Sequence, residues 1–183
     1  MIDQGTLSTR ALALNENGKI LTSASCDISL QRRGLELVEQ DANEIMASVD
    51  EVVQTVLGNS RVRRLGVSCA GLATQRSSVV AWDKSTGEPL GPLLSWQDRR
   101  AAEWLSGFNT HADKIKEQTG LPLSPHYGAS KLRWYLDHLP AVKQAMHEGS
   151  LAFGPLASFL LFHLLQDQPL LVDHANASRT QLW

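Results

Sequence analysis

The sequence predicts an α/β fold, a sheet with flanking helices, and three observations carry that prediction. Asn17-Gly18 separates two extended runs, Thr9 to Leu14 and Lys19 to Ser23; Asn-Gly supplies the positive φ angles a tight antiparallel hairpin needs. Ile45, Val49, Val52, Val53, Val56 and Leu57 recur at helical spacing behind Asp41, and Asp41 with Glu44 fits a helix cap and its third-position partner. After Trp96 the periodicity is mostly helical.

Taken in order, the polar segment Asp3 to Arg10 is preceded only by Met1 and Ile2. Loops of this kind normally follow a buried strand, so the first strand is expected to be truncated. The hairpin comes next, then the helix from Asp41, ending near Gly58. Val62 to Ala70 reads as a buried strand, Ser78 to Trp82 as another, Asp83 to Gly87 as a turn, and Leu93 to Trp96 as a short third run. Helices are expected at Arg99 to Leu105, His111 to Gln118, Ala129 to His138 and Ala141 to His147, with a last one opened by Pro155. An extended stretch is expected near Leu170 to Asp173. No repeat or low-complexity linker interrupts the chain, so one domain is expected over residues 1–183.

Composition narrows the function. A formal charge of −2 and scattered basic pairs argue against a nucleic-acid partner. The longest apolar stretch, Leu156 to Leu165, contains Ser158 and His163 and is too short to span a bilayer, so no membrane partner is expected. Cys26 and Cys69 lack paired-Cys spacing and no secretory leader is evident, which gives reduced thiols and a cytoplasmic location as expectations. The six histidines show no zinc-ligand spacing, and no Gly-x-Ser-x-Gly elbow is present.

Three segments carry candidate chemistry. In Asp3 to Arg10, Thr6 and Ser8 can hold a phosphate and Asp3 a hydrated Mg²⁺, which keeps most of its waters and takes one or two carboxylates. The same residues also suit an ordinary polar loop. Neither Gly-x-x-x-x-Gly-Lys-Ser/Thr nor Gly-x-Gly-x-x-Gly occurs. Arg76, between two expected strands, offers paired hydrogen bonds to vicinal hydroxyls or a carboxylate, or a solvated head. Trp96, followed by Gln97-Asp98-Arg99-Arg100, offers an aromatic face for sugar C–H groups; alternatively Trp96 is core and Asp98 caps the next helix.

Together these segments resemble the N-terminal domain of the FGGY carbohydrate kinases, most closely the glycerol kinase branch. The resemblance is carried by Asp3-Gln4-Gly5-Thr6 with Ser8 and Arg10, Thr74-Gln75-Arg76, Trp82 to Leu90, and Trp96 to Arg100. It continues through Thr119 to Pro125, Lys131 to Trp134, Phe153-Gly154 and Asn176 to Thr180. It implies a ribonuclease-H-like (actin-like ATPase) domain with a mixed sheet, incomplete at both ends, and phosphoryl transfer from ATP-Mg²⁺ to a hydroxyl of a small sugar or polyol. It further implies Thr6, Ser8 and Arg10 at the nucleotide phosphates, Asp3 at the metal, and Arg76, Ser77, Trp96 and His126 at the acceptor.

Ser77 stands where glycerol kinases carry Glu, His126 where they carry Tyr, and Leu7 replaces a hydroxyl residue. Each lost buried hydrogen bond costs about 1–3 kcal/mol, enough to move selectivity toward a polyol or ketose other than glycerol. The resemblance places the family's catalytic Asp, in an Asp-Gln-Gln-like segment, beyond Trp183. The 183 residues alone are therefore expected to be inactive, and to self-associate through apolar surface meant for a partner domain. The alternative reading is a non-catalytic sugar-binding or assembly module that kept the fold.

Overall fold

The computed structural model describes residues 1–182. Its strands are β1 (Ile2–Gln4), β2 (Ser8–Leu14), β3 (Ile20–Asp27), β4 (Gln31–Arg33), β5 (Leu37–Gln40), β6 (Leu72–Thr74), β7 (Val79–Asp83), β8 (Leu93–Leu94) and β9 (Leu151–Pro155). Its helices are α1 (Ala42–Gly58), α2 (Ser60–Leu65), α3 (Ala102–Ser106), α4 (Ala112–Thr119), α5 (Gly128–His138), α6 (Pro140–Glu148), α7 (Leu156–Leu164) and α8 (His174–Ser178). Where the sequence offers no internal boundary, the chain divides into two compact units. The first comprises Met1–Leu30 and Asp41–Gln75; the second comprises Gln31–Gln40 and the chain from Arg76 onward.

The first unit holds a mixed sheet in the order β3-β2-β1-β6, antiparallel except for the parallel β1–β6 pair. The expected hairpin joins β2 to β3, with Gly18 at φ 74° and its N–H bonded to Asn15 O at 2.9 Å. Alternation along β2 sends Ala11 to the buried cluster it forms with Val52 and Val56 of α1. Thr9, also buried, meets Ser48 of α1, hydroxyl to hydroxyl, at 2.7 Å. Asp41 caps α1 by accepting the Asn43 N–H at 2.8 Å. Glu44 does not close the expected box; its carboxylate accepts the Ser29 N–H instead, at 2.9 Å.

The strand expected over Val62 to Ala70 is a helix followed by irregular chain. Asn59 Oδ1 accepts the N–H groups of Arg61 and Val62, which starts α2, and Gly66 at φ 74° ends it. Pairing is left to β6, three residues long.

The second unit holds an antiparallel sheet in the order β4-β5-β8-β7-β9. Val79 and Ala81 of β7 pack with Leu94, Tyr135 and Val142, joining β8, α5 and α6 in one buried cluster. The Trp82 ring meets Phe159 and Phe162 of α7 edge-on at 5.6 and 5.9 Å. The expected helices after Trp96 are present as α3 to α7, with shifted ends. β4, β5 and β9 lie outside the sequence expectations, Pro155 precedes α7 as its cap residue, and Leu170–Val172 forms no strand. Asp173 instead caps α8, accepting the Asn176 N–H at 3.0 Å. Among the described residues no helix is long and apolar enough to cross a membrane.

Candidate functional site

The amino-terminal segment of the first unit is a strand-turn-strand, not a loop throughout. Asp3 lies on β1, Ser8 and Arg10 on β2, and only Gly5 to Leu7 form the turn, closed by the Gly5 N–H to Ser8 O bond at 2.9 Å. Register pairs Asp3 with Arg10. Since partners across a ladder share a face and residues two apart share a face, Asp3, Ser8 and Arg10 lie together on one side of the sheet. Thr9 and Ala11 lie on the other side, against α1.

The turn is held from below by buried amides. Gln4 Nε2 donates to Gly5 O at 2.6 Å, Gln75 Nε2 reaches Gln4 Oε1 and Gly5 O at 3.3 Å each, and the Gln75 N–H donates to Gln4 O at 2.8 Å. Gln4 is fully buried, so these bonds fix the turn without using the face that carries Asp3. Thr6 sits in the turn between β1 and β2. An apolar cleft of about 660 Å³ in the same unit, lined by Leu12, Leu14, Val53, Leu57 and Val62, includes none of Asp3, Thr6, Ser8 or Arg10 in its wall.

The second unit brings Ser77, Trp96 and His126 together. The Trp96 N–H donates to Ser78 Oγ at 3.0 Å, and the Trp96 ring meets the His126 ring edge-on at 5.9 Å. Ser77 has a left-handed backbone, φ 66°, and is buried. Its carbonyl accepts from Lys131 Nζ at 3.0 Å, and the same ammonium donates to His126 O at 2.7 Å. Arg76, beside Ser77, is exposed.

Two residues assigned no role from the sequence complete this cluster. Lys131 is buried on α5, and burial pulls it down to about 7 against the partial counter-effect of Asp98. Arg179 Nε donates to Ser77 Oγ at 3.4 Å, its terminal nitrogen donates to His126 Nε2 at 3.3 Å, and its guanidinium lies 4.9 Å from the Tyr127 ring centre. The first turn of α5 seats it: the Gly128 N–H donates to Arg179 O at 3.3 Å and the Ala129 N–H to Thr180 O at 2.7 Å. Helix-end donors otherwise left open are thereby satisfied. His126 is held below its ordinary value, first by burial and then by the charges of Lys131 and Arg179. It is thus neutral near pH 7, with Nε2 as acceptor. Separation in sequence hid this cluster; the only signal was that Lys131 and Arg179 fall in the later motif segments.

Asp98 does not cap α3, whose cap position is Ala101. Buried to 1% exposure, it accepts the Val38 N–H at 2.7 Å and binds Arg100, which also reaches Glu39 at 2.7 Å. Arg100 stacks over Trp134 at 4.3 Å, so the Asp98–Arg100 pair is architecture. Gln97 hydrogen-bonds Arg32. Among the described residues no group of His, Cys, Asp and Glu has a metal-binding arrangement by itself.

Comparison with known proteins supplies the context for these two sites. The family model for the FGGY carbohydrate kinases, N-terminal domain, matches residues 1–183. The glycerol kinase of Acinetobacter baylyi is 37% identical over 183 residues, which are 99% of this chain and 37% of that protein. That of Lactobacillus acidophilus is 35% identical over 184 residues, again 37% of its length. The chain thus spans little more than a third of these relatives. Among solved structures, Plasmodium falciparum glycerol kinase with ADP superposes with a TM-score of 0.91 at 28% identity, over 99% of this chain and 36% of that one. The xylulose kinase of Rhodospirillum rubrum superposes with a TM-score of 0.82 at 20% identity, over 100% of this chain and 37% of that one, a likeness of fold.

Proposed function

Because the chain belongs to the FGGY family of carbohydrate kinases, through the family's N-terminal ribonuclease-H-like domain, we propose that it is the amino-terminal part of an ATP-dependent kinase. The reaction transfers the γ-phosphoryl group of ATP to a hydroxyl of a small sugar or polyol. The observation that carries this reading is the shared sheet face of Asp3, Ser8 and Arg10 beside the Gly5–Leu7 turn.

A carboxylate, a hydroxyl and a guanidinium on one face form the donor set a metal-bound triphosphate requires: Asp3 for hydrated Mg²⁺, Ser8 and Thr6 for phosphate oxygens, Arg10 for their charge. Bound Mg²⁺ neutralises the phosphate charge that would otherwise repel an incoming hydroxyl. In the second unit the Trp96 ring offers a face to sugar C–H groups. Arg76, Ser77 and His126 supply hydrogen bonds that orient the acceptor, and phosphoryl transfer depends on such positioning more than on covalent chemistry.

The catalytic base is assigned to no residue of this chain, and the 183 residues alone are proposed not to turn over. Phosphorylation of any polyol by the purified chain, above a control without it, overturns that statement. Sugar binding without phosphorylation, even when the chain is joined to its family's second domain, favours a non-catalytic binding module instead. Self-association is also proposed, supported by exposed Leu170, Leu171 and Val172. A monomer in sedimentation at high concentration counts against it.

A further inference from the structure

Two cations of the second unit bridge the same pair of residues, one through the backbone and one through the side chains. Lys131 Nζ donates to Ser77 O at 3.0 Å and to His126 O at 2.7 Å. Arg179 donates from Nε to Ser77 Oγ at 3.4 Å and from a terminal nitrogen to His126 Nε2 at 3.3 Å. All four bonds are made within the unit. A guanidinium only donates, so His126 Nε2 is the acceptor and the proton of the neutral ring lies on Nδ1. Ser77 needs such a hold: it is buried at φ 66°, a left-handed backbone that is disfavoured for any residue with a Cβ and persists where surrounding bonds over-determine it. The same pair flanks Trp96. The Trp96 N–H donates to the hydroxyl of Ser78, next to Ser77, at 3.0 Å, and its ring meets that of His126 at 5.9 Å.

We infer that Arg179 is a positioning residue of the acceptor site, fixing the side chains of Ser77 and His126 on the backbone that Lys131 holds. The inference rests on the acceptor-site reading of this cluster and deepens it by naming what sets the site's shape. Arg179 acts as a fork: two of its N–H groups reach two residues at once, and a single ammonium on a flexible stem does not reproduce that geometry. It acts on the acceptor through Ser77 and His126, and through His126 on the Trp96 ring. Phosphoryl transfer draws on such preset orientation, because a small misplacement of the groups that hold the acceptor moves its hydroxyl out of line.

Two measurements on the protein test this. Long-range proton–nitrogen NMR with the rings neutral reads His126 Nε2, assigned by the signal lost in His126→Asn. Arg179→Met is expected to move that resonance downfield, toward an unbonded pyridine-type nitrogen. Calorimetric titration with glycerol, sorbitol and fructose follows the acceptor. Arg179→Met is expected to weaken the tightest-binding of the three about ten-fold, and Arg179→Lys, which keeps the charge without the fork, to weaken it as much. In a His126→Asn background the same Arg179→Met change is expected to cost less than about three-fold, because its main target is gone. An unmoved resonance overturns the inference. Recovery of binding by Arg179→Lys, or an undiminished loss in the His126→Asn background, also overturns it, making Arg179 a bare charge or a direct acceptor contact and leaving the acceptor site standing. A parent that binds none of the three probes removes the acceptor-site reading and the positioning role with it.

Discussion

The Lys131 ammonium donates to the His126 carbonyl oxygen at 2.7 Å, from a position 1% exposed to solvent. The bond ties α5 to the residue that meets Trp96 and Arg179, so one buried charge organises the whole acceptor cluster.

That charge makes stability depend on pH. Burial brings Lys131 from 10.5 to about 7, so the side chain is an ammonium in the folded chain only below about pH 7, and above it the unfolded chain holds a proton that the folded chain gives up. Stability therefore rises with pH in this window, by about 2 kcal/mol between about pH 7 and pH 9. Chemical denaturation across that range checks it, and Lys131→Met is expected to flatten the rise.

Gly128 opens α5 in contact with Thr180: a Cβ there would sit 3.1 Å from Thr180 Cα. The Gly128→Ala variant is expected to lose about 1–3 kcal/mol and to displace Arg179. Urea unfolding reads the first effect. Weakened acceptor binding that Arg179→Gln does not weaken further reads the second.

Asp98 and Arg100 form an ion pair with side chains 1% and 4% exposed. Truncation of one partner strands the other, so Asp98→Ala is expected to cost about 3–5 kcal/mol. Asp98→Asn, which keeps an acceptor for the Val38 N–H, is expected to cost less; denaturation midpoints distinguish the two.

Arg10 is exposed on the sheet face shared with Asp3 and Ser8. Arg10→Ala is expected to weaken ATP-Mg²⁺ binding about ten-fold without changing the unfolding temperature. Equal nucleotide affinity in variant and parent removes Arg10 from the phosphate site.

The two cysteines differ in exposure and are expected to differ in reactivity. Cys26 is partly covered, and its thiol is raised first by the hydrogen bond to Glu51 at 3.3 Å and then by burial; Cys69 is exposed. Alkylation followed by mass spectrometry is expected to label Cys69 first, since thiolate is the reactive form.

The sequence was most legible where order is local. Asp41 and the Ile45–Val56 stripe specify α1, and Asn17-Gly18 specifies the β2–β3 hairpin, because cap, spacing and turn chemistry all lie within one window of the chain. It misled at Val62 to Ala70, where apolar composition suggests a strand but the Asn59 cap and Gly66 produce α2. It was silent at β4, three exposed residues with no apolar pattern whose Arg32 pairs locally with Val38, and at β9, which is ordered by a partner distant in the chain: Gly154 pairs with Val80.

The amino acids by themselves determined the family, the α/β class, and the residue types available for phosphate and sugar. Motifs are local strings, and their order along the chain survives without coordinates. Only the tertiary structure decided that Asp3 and Arg10 share a face, that Asp98 serves Arg100 and not α3, and that Lys131 and Arg179 surround Ser77 and His126. Those outcomes depend on register and on contacts spanning 53 to 102 residues, the Val38–Asp98 and Glu39–Arg100 bonds among them. Such contacts follow from burying apolar faces together, and nothing in the flanking sequence of either partner specifies them.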